Sequence, residues 1–297
     1  MKAKKQLLEY LDLTRANYKP STHETHVRFT NHLIHCFEKL KIKRFKDIDF
    51  STGYKMVEWY KNHTRNKNNS INKNLNYLKA VMKHYGVYTT YMNFKSLKKD
   101  TVPFKRFYHD DLENIIQFCE QMDFSENSLV YKTFIFLALD SGMRKSELLN
   151  VKIANIDFHK KLIYLDETKT GKKRYAPFSN FSKQKILDLI AVDPKREYLM
   201  INILRNRRLS KNDIKMFYKR LKARLHLDRI HTHRFRKTFA SILADNGMPP
   251  QYVQVLLDHK DIKTTMKYIQ FNKIIPFEKY NQYNDWDVET QKDEDFN

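Results

Sequence analysis

Between residues 20 and 41 the chain reads PSTHETHVRFTNHLIHCFEKLK, with apolar side chains at Val27, Phe29, Leu33, Ile34 and Phe37. That recurrence is close to 3.6 residues and predicts an amphipathic helix. Residues 69–86 repeat the pattern with Ile71, Leu75, Leu78, Val81 and Met82. Asn69 or Ser70 is placed to cap that helix and Gly86 to end it. A shorter helix is expected over 51–62, so residues 1–94 read as a bundle of about four helices. Residues 95–106, polar and basic with a single proline, read as a linker. Beyond it, Asp110 or Asp111 precedes a helix over about 109–122, carried by Leu112, Ile115, Ile116 and Cys119. Residues 129–149 predict an apolar helix, a break at Gly142 and a second short helix. Residues 155–179 alternate apolar and polar positions in two runs around a Thr-Gly-Lys-Lys turn, the pattern of a hairpin. Helix resumes to about residue 271. The last stretch, 285–297, holds six carboxylates and one lysine and reads as a flexible acidic tail. The fold class expected is mainly α: a helical bundle, then a mainly helical domain with a small antiparallel β-sheet.

Composition narrows the class of partner. With 297 residues the chain is long enough for two domains, and 41% hydrophobic residues exclude a disordered chain. The formal net charge is +22, and residues 1–100 alone carry 21 Lys and Arg against 8 Asp and Glu. A chain this basic meets a polyanion, nucleic acid first and an anionic membrane surface second. No run of eighteen apolar residues occurs, and the N-terminal MKAKKQLLEYLDLTRANY is interrupted by Glu9, Asp12 and Arg15, so neither a transmembrane helix nor a signal peptide is expected. Cys36 and Cys119 each lie in an apolar helical context, as buried thiols of a reducing cytoplasm would. His23, His26, His32 and His35 lack Cys or carboxylate partners, so no metal or other cofactor is expected.

Four short stretches carry candidate chemistry. In SGMRKSELL, Gly142 lets the chain turn and Arg144 falls in the first turn of the next helix, near an end that favours anions. Glu147, three residues on, is positioned to hold its guanidinium. The hairpin tip ETKTGKKRY presents Lys169, Lys172 and Lys173. HRFR places His233 and Arg236 on one helical face, a proton carrier beside a planar fork for two phosphate oxygens. LLDHKDIKTTMKYIQ supplies His259 and Tyr268. A phenol attacks phosphorus well when the charge that develops on the non-bridging oxygens is absorbed, and arginines with hydrogen-bonding histidines do that. Taken singly, each stretch also fits a plain reading: surface ion pair, soluble turn, basic helix, packing tyrosine.

Taken in order, they do not. Gly142-Met-Arg144-x-x-Glu147-Leu, Lys169 in Thr-Lys-Thr-Gly, His233-x-x-Arg236, Leu257-x-His259 and Tyr268 resemble the active-site series of the tyrosine recombinases, the phage integrases and Xer-type enzymes. The series spans residues 142–268, with 25 positions from Arg144 to Lys169, 23 from Arg236 to His259 and 9 from His259 to Tyr268. The resemblance implies a SAM-like core-binding domain over 1–94, a linker over 95–106, a catalytic domain over 107–284 and a tail over 285–297. It implies that Tyr268 attacks the scissile phosphate of double-stranded DNA to give a 3′-phosphotyrosyl enzyme and a free 5′-hydroxyl, without metal or ATP. Arg144 and Arg236 would clamp the non-bridging oxygens, Lys169 protonate the leaving oxygen, His233 act as acid or base, and His259 bond the phosphate. Glu147 would orient Arg144. The family works as four protomers on two duplexes, and 271–283, with Ile274, Ile275 and Phe277, is suited to docking in cis or on a neighbour. In two places the chain departs from the pattern. Asp258 stands where the family often has glycine, and its carboxylate either raises the proton affinity of His259 or faces solvent. Lys237 replaces a common histidine that is not catalytic.

The function expected is a site-specific DNA recombinase or integrase. A type IB topoisomerase shares the chemistry without pairing two duplexes, and a DNA-binding protein that has lost cleavage shares the charge.

Overall fold

The computed structural model describes residues 2–100, 105–123, 127–166 and 173–266. The chain divides into two compact units, Met1–Pro103 and Phe104–Asn297.

The first unit contains α1 (Lys2–Leu13), α2 (Pro20–Lys39), α3 (Phe50–His63) and α4 (Asn68–His84). Each helix turns one stripe inward. Leu7 and Tyr10 of α1, Leu33, Cys36 and Phe37 of α2, Met56 and Tyr60 of α3 and Ile71, Leu75, Leu78, Val81 and Met82 of α4 share one core. The signals at the helix ends differ from expectation. Lys67, not Asn69 or Ser70, precedes α4, and it makes no side-chain cap. Instead the Asn69 backbone N–H donates to Asp100, and Asn72 clamps the Leu97 backbone through both faces of its amide (2.8 and 2.9 Å). Segment 97–100, expected to be plain linker, thereby satisfies through Asp100 one donor that a cap would otherwise serve and is itself tied to α4 by Asn72. Asp49 does cap α3, accepting from Thr52 N at 2.7 Å.

The second unit is built around α6 (Ser128–Ser141), after α5 (His109–Gln121). Eleven of the fourteen α6 residues are buried, so it is a helix wrapped on all sides rather than an amphipathic one. Truncating one of its core rings, such as Phe134, costs about 3–5 kcal/mol. Helix α7 (Lys145–Leu149) follows the turn at Gly142, and then comes a three-stranded antiparallel sheet, β1 (Ile156–Asp157), β2 (Leu162–Leu165) and β3 (Arg174–Pro177), in that order. Strands β2 and β3 pair from Leu162 with Pro177 to Leu165 with Arg174, the expected hairpin. Helix α8 (Asn180–Val192) packs on α6. A second, unforeseen sheet pairs β4 (Ile201–Asn202) with β5 (Arg207–Arg208). Two residues per strand carry no readable alternation, so the pattern could not announce it. Helices α9 (Lys211–Arg224), α10 (Thr232–Asp245), α11 (Pro250–Leu257) and α12 (Ile262–Met266) follow among the described residues. Tyr108, not Asp110 or Asp111, precedes α5; both aspartates lie in its first turn, where the helix dipole favours them.

Both cysteines are buried thiols, and burial pushes each up to about 12. In α2, His26 packs against the rings of Tyr18 and Tyr77. Among the described residues no helix is long and apolar enough to cross a membrane.

Candidate active site

The site begins at one glycine. Gly142 ends α6 with φ at 59°, a left-handed conformation that side chains resist. It also has no room for one: a Cβ there would lie 2.4 Å from Phe239 Cδ1 of α10 and 3.1 Å from Leu257 Cδ2 of α11. Three elements therefore meet at a bare backbone. Arg236 of α10, 2% exposed, ties them, donating from Nη1 to Gly142 O at 2.8 Å and from Nη2 to Leu257 O.

The turn delivers Arg144 immediately ahead of α7, one residue before the helix rather than within its first turn. Glu147 supports it as expected, accepting from the Arg144 backbone N–H at 2.8 Å and from Nη1 at 2.7 Å. Sequence reasoning missed a third member. Arg174, at the start of β3, donates from Nη2 to Glu147 at 2.6 Å and from Nη1 to Leu256 O at 2.8 Å. Its position in the basic run Lys172-Lys173-Arg174 gave no sign that its side chain would be buried. Burial pushes the Glu147 carboxyl up, but Arg174 and Arg144 more than offset this and hold it below the usual range. Removing one partner of such a buried pair costs about 3–5 kcal/mol.

Asp258 neither stands apart from the site nor simply faces solvent. It closes α11 with φ at 51°, and its carboxylate accepts from Arg144 Nη1 at 3.1 Å. Arg144 Nη2 donates to the Asp258 backbone oxygen at 2.9 Å. His259 follows at once, its Nδ1 hydrogen-bonded to Thr265 Oγ1 at 2.9 Å and its carbonyl to Gln254.

His233 lies in the first turn of α10, whose N-terminus is capped by His231 Nδ1 accepting from Arg234 N at 3.1 Å. Its ring runs nearly parallel to that of His231, the centroids 6.4 Å apart. Partial desolvation, then the charges of Lys237, Arg236, His231 and Arg144, push His233 down to about 4. His259 falls to about 4 for similar reasons, burial first and then Arg236, Arg144 and His233, with Asp258 opposing weakly. At neutral pH both rings are uncharged. Lys237 is itself lowered by burial and acts on this site through its charge on His233.

Arg144, His233 and Arg236 line one cleft of about 530 Å³ together with Lys145, His231 and one face of α9, where Lys215, Lys219 and Lys222 recur at helical spacing. No carboxylate is among the described residues lining it. Among the described residues no group of three or more His, Cys, Asp or Glu is placed to hold a metal ion. Lys173 lies over the Tyr164 ring, 5.9 Å from its centroid. Lys169, Lys172 and Tyr268, like 271–283 and 285–297, lie outside the described residues.

The phage integrase family model matches residues 105–273, the segment that builds this cleft. The chain belongs to the phage integrase family. It is accordingly a tyrosine-type site-specific recombinase. It is 50% identical over 286 residues to a probable integrase/recombinase of Acholeplasma phage L2, spanning 96% of this chain and 99% of that protein. It is 26% identical over 247 residues to the tyrosine recombinase XerC of Staphylococcus aureus (strain JH9), 78% of each chain. In fold it matches the Tn1549 transposon integrase, solved with a circular intermediate DNA, with a TM-score of 0.77 at 18% identity over 95% of this chain and 99% of that one. It also matches a λ integrase dimer bound to a core site, with a TM-score of 0.72 at 17% identity over 90% and 76%.

Proposed function

We propose that this integrase-family chain cuts and rejoins double-stranded DNA through a 3′-phosphotyrosyl intermediate on Tyr268. The observation that carries the reading is the convergence of Arg144, Arg236 and His233 on one cleft rich in cationic side chains, with His259 held beside Arg144 and Arg236. A phosphodiester entering it meets two guanidinium forks and two neutral imidazoles. As the Tyr268 oxygen bonds to phosphorus, negative charge grows on the non-bridging oxygens, and Arg144 and Arg236 stabilise it. His233, held near 4, takes up a proton readily only as that charge develops, which suits it to accept the phenol proton. His259 bonds a phosphate oxygen, and Lys169 donates a proton to the departing 5′-oxygen. The phosphodiester bond becomes a phosphotyrosyl ester, so its energy is kept and rejoining needs no ATP.

DNA as the partner is supported by the net charge of +22, by the lysine face of α9, and by solved relatives bound to DNA. We assign residues 1–94 as the core-binding domain, 107–284 as the catalytic domain, and a tetramer as the synaptic form.

A nicked, end-labelled duplex from the DNA flanking this chain's own coding sequence tests the chemistry. Wild type should carry label into a denaturing protein gel, and Arg144→Ala and Arg236→Ala should each lower the rate by about 10²–10³-fold, the cost of removing one donor to a developing oxyanion. Wild-type rates in both variants would refute the site assignment.

A further inference from the structure

Both terminal nitrogens of Arg144 are turned toward protein oxygens. Nη1 donates to Glu147 at 2.7 Å and to the Asp258 carboxylate at 3.1 Å, and Nη2 to the backbone oxygens of Asp258 and Leu257 at 2.9 and 3.4 Å. The two carboxylates are not equivalent. The Glu147 side chain is 0% exposed and is bound by Arg174 as well, so it is fixed. The Asp258 side chain is 17% exposed beside an Arg144 side chain that is 21% exposed, at the open edge of the site. Its left-handed backbone gives no reason for a charge, since glycine or asparagine adopts φ 51° at least as easily. A phosphodiester oxygen competes for the N–H that Asp258 holds, because two anions on one nitrogen repel.

We propose that the Asp258 carboxylate is a counter-ion displaced by substrate: it occupies Arg144 Nη1 while no phosphate is bound and yields that nitrogen to the scissile phosphate. The inference rests on the reading of Arg144 as a phosphate clamp. Asp258 is then a positioning residue that acts through Arg144. Its effect is selective. A phosphate delivered by many duplex contacts displaces the carboxylate readily, whereas a free anion binds only against its competition and so more weakly.

Inorganic phosphate titrated into the full-length protein, ¹⁵N-labelled at arginine, tests this. The Arg144 side-chain signal is assigned by its loss in Arg144→Lys. Asp258→Asn and Asp258→Gly both tolerate the left-handed backbone, so the end of α11 is retained in each. The expected result is phosphate binding roughly three- to tenfold tighter in both variants than in wild type, the range for losing a partly exposed competing ion pair. Equal affinities in all three proteins would overturn the proposal, since the carboxylate would not compete. Weaker binding in both variants would also overturn it, because Asp258 would then orient Arg144 for phosphate rather than withhold it. An Arg144 signal indifferent to phosphate in all three would remove the clamp reading itself, and the proposal with it.

Discussion

At the scale of single residues, the site depends on which groups are charged before substrate arrives. His233 and His259 titrate near 4 in the folded chain and near 6.5 when unfolded. Between those values the unfolded chain takes up protons that the folded chain refuses. Their contribution to stability is therefore present above about pH 6.5 and lost as pH falls toward 4. Urea unfolding across that range should show wild type losing stability more steeply than His259→Gln, and parallel curves would contradict the assignment. The residues proposed to meet phosphate were legible in the sequence because motif order exposes them, and the fold brings Arg144, His233, Arg236 and His259 together, with Arg144 one residue ahead of α7 instead of in its first turn. Arg174 was not legible. Its role comes from its place at the start of β3, which brings it to Glu147, and nothing in the run Lys172-Lys173-Arg174 singles it out as the one that pairs with that carboxylate. The pairing of Asp258 with Arg144 was hidden likewise, since 114 residues separate partners that only the fold brings to 3.1 Å.

Among the elements, the turn between α6 and α7 does most to place the chemistry. Gly142 is required there twice, by its φ of 59° and by Phe239 at 2.4 Å from a would-be Cβ. Gly142→Ala should cost about 1–3 kcal/mol from backbone conformation alone, and more from displacing Phe239. The same substitution moves the carbonyl that Arg236 holds, so phosphate affinity should fall together with the urea midpoint. A Gly142→Ala protein as stable as wild type would mean the turn relaxes without cost. Long helices such as α2 and α4 could be read from periodicity because ten or more residues repeat the signal, and α6 from its apolar run. The caps of α4 and α5 could not, because segment 97–100 supplies partners from outside α4 and Tyr108 precedes α5 without a side-chain bond.

Across the whole molecule, charge sets the response to salt. Each lysine that neutralises a phosphate on binding releases a counterion, so log affinity should fall steeply with log salt. Replacing Lys215, Lys219 and Lys222 together by glutamine should flatten that slope by about 0.9 for each lysine that contacts a phosphate, with little effect on stability because they line an open cleft. An unchanged slope would show that DNA does not run along α9. The sequence's charge imbalance pointed to a polyanion, but which face carries it became visible only once α9 was seen beside Arg144 and His233.

The proposed covalent bond between DNA and Tyr268 is directly measurable, because of where the chain places its lysines. Lys267 and Lys273 flank the segment Tyr-Ile-Gln-Phe-Asn-Lys, so trypsin releases Tyr268 in a peptide with no other tyrosine. Wild type would be incubated with the nicked duplex, digested with trypsin and nuclease, and analysed by mass spectrometry. Peptide 268–273 should carry a 3′-nucleotide in wild type and none in Tyr268→Phe. A nucleotide on any other peptide, or an adduct that persists in Tyr268→Phe, would contradict it.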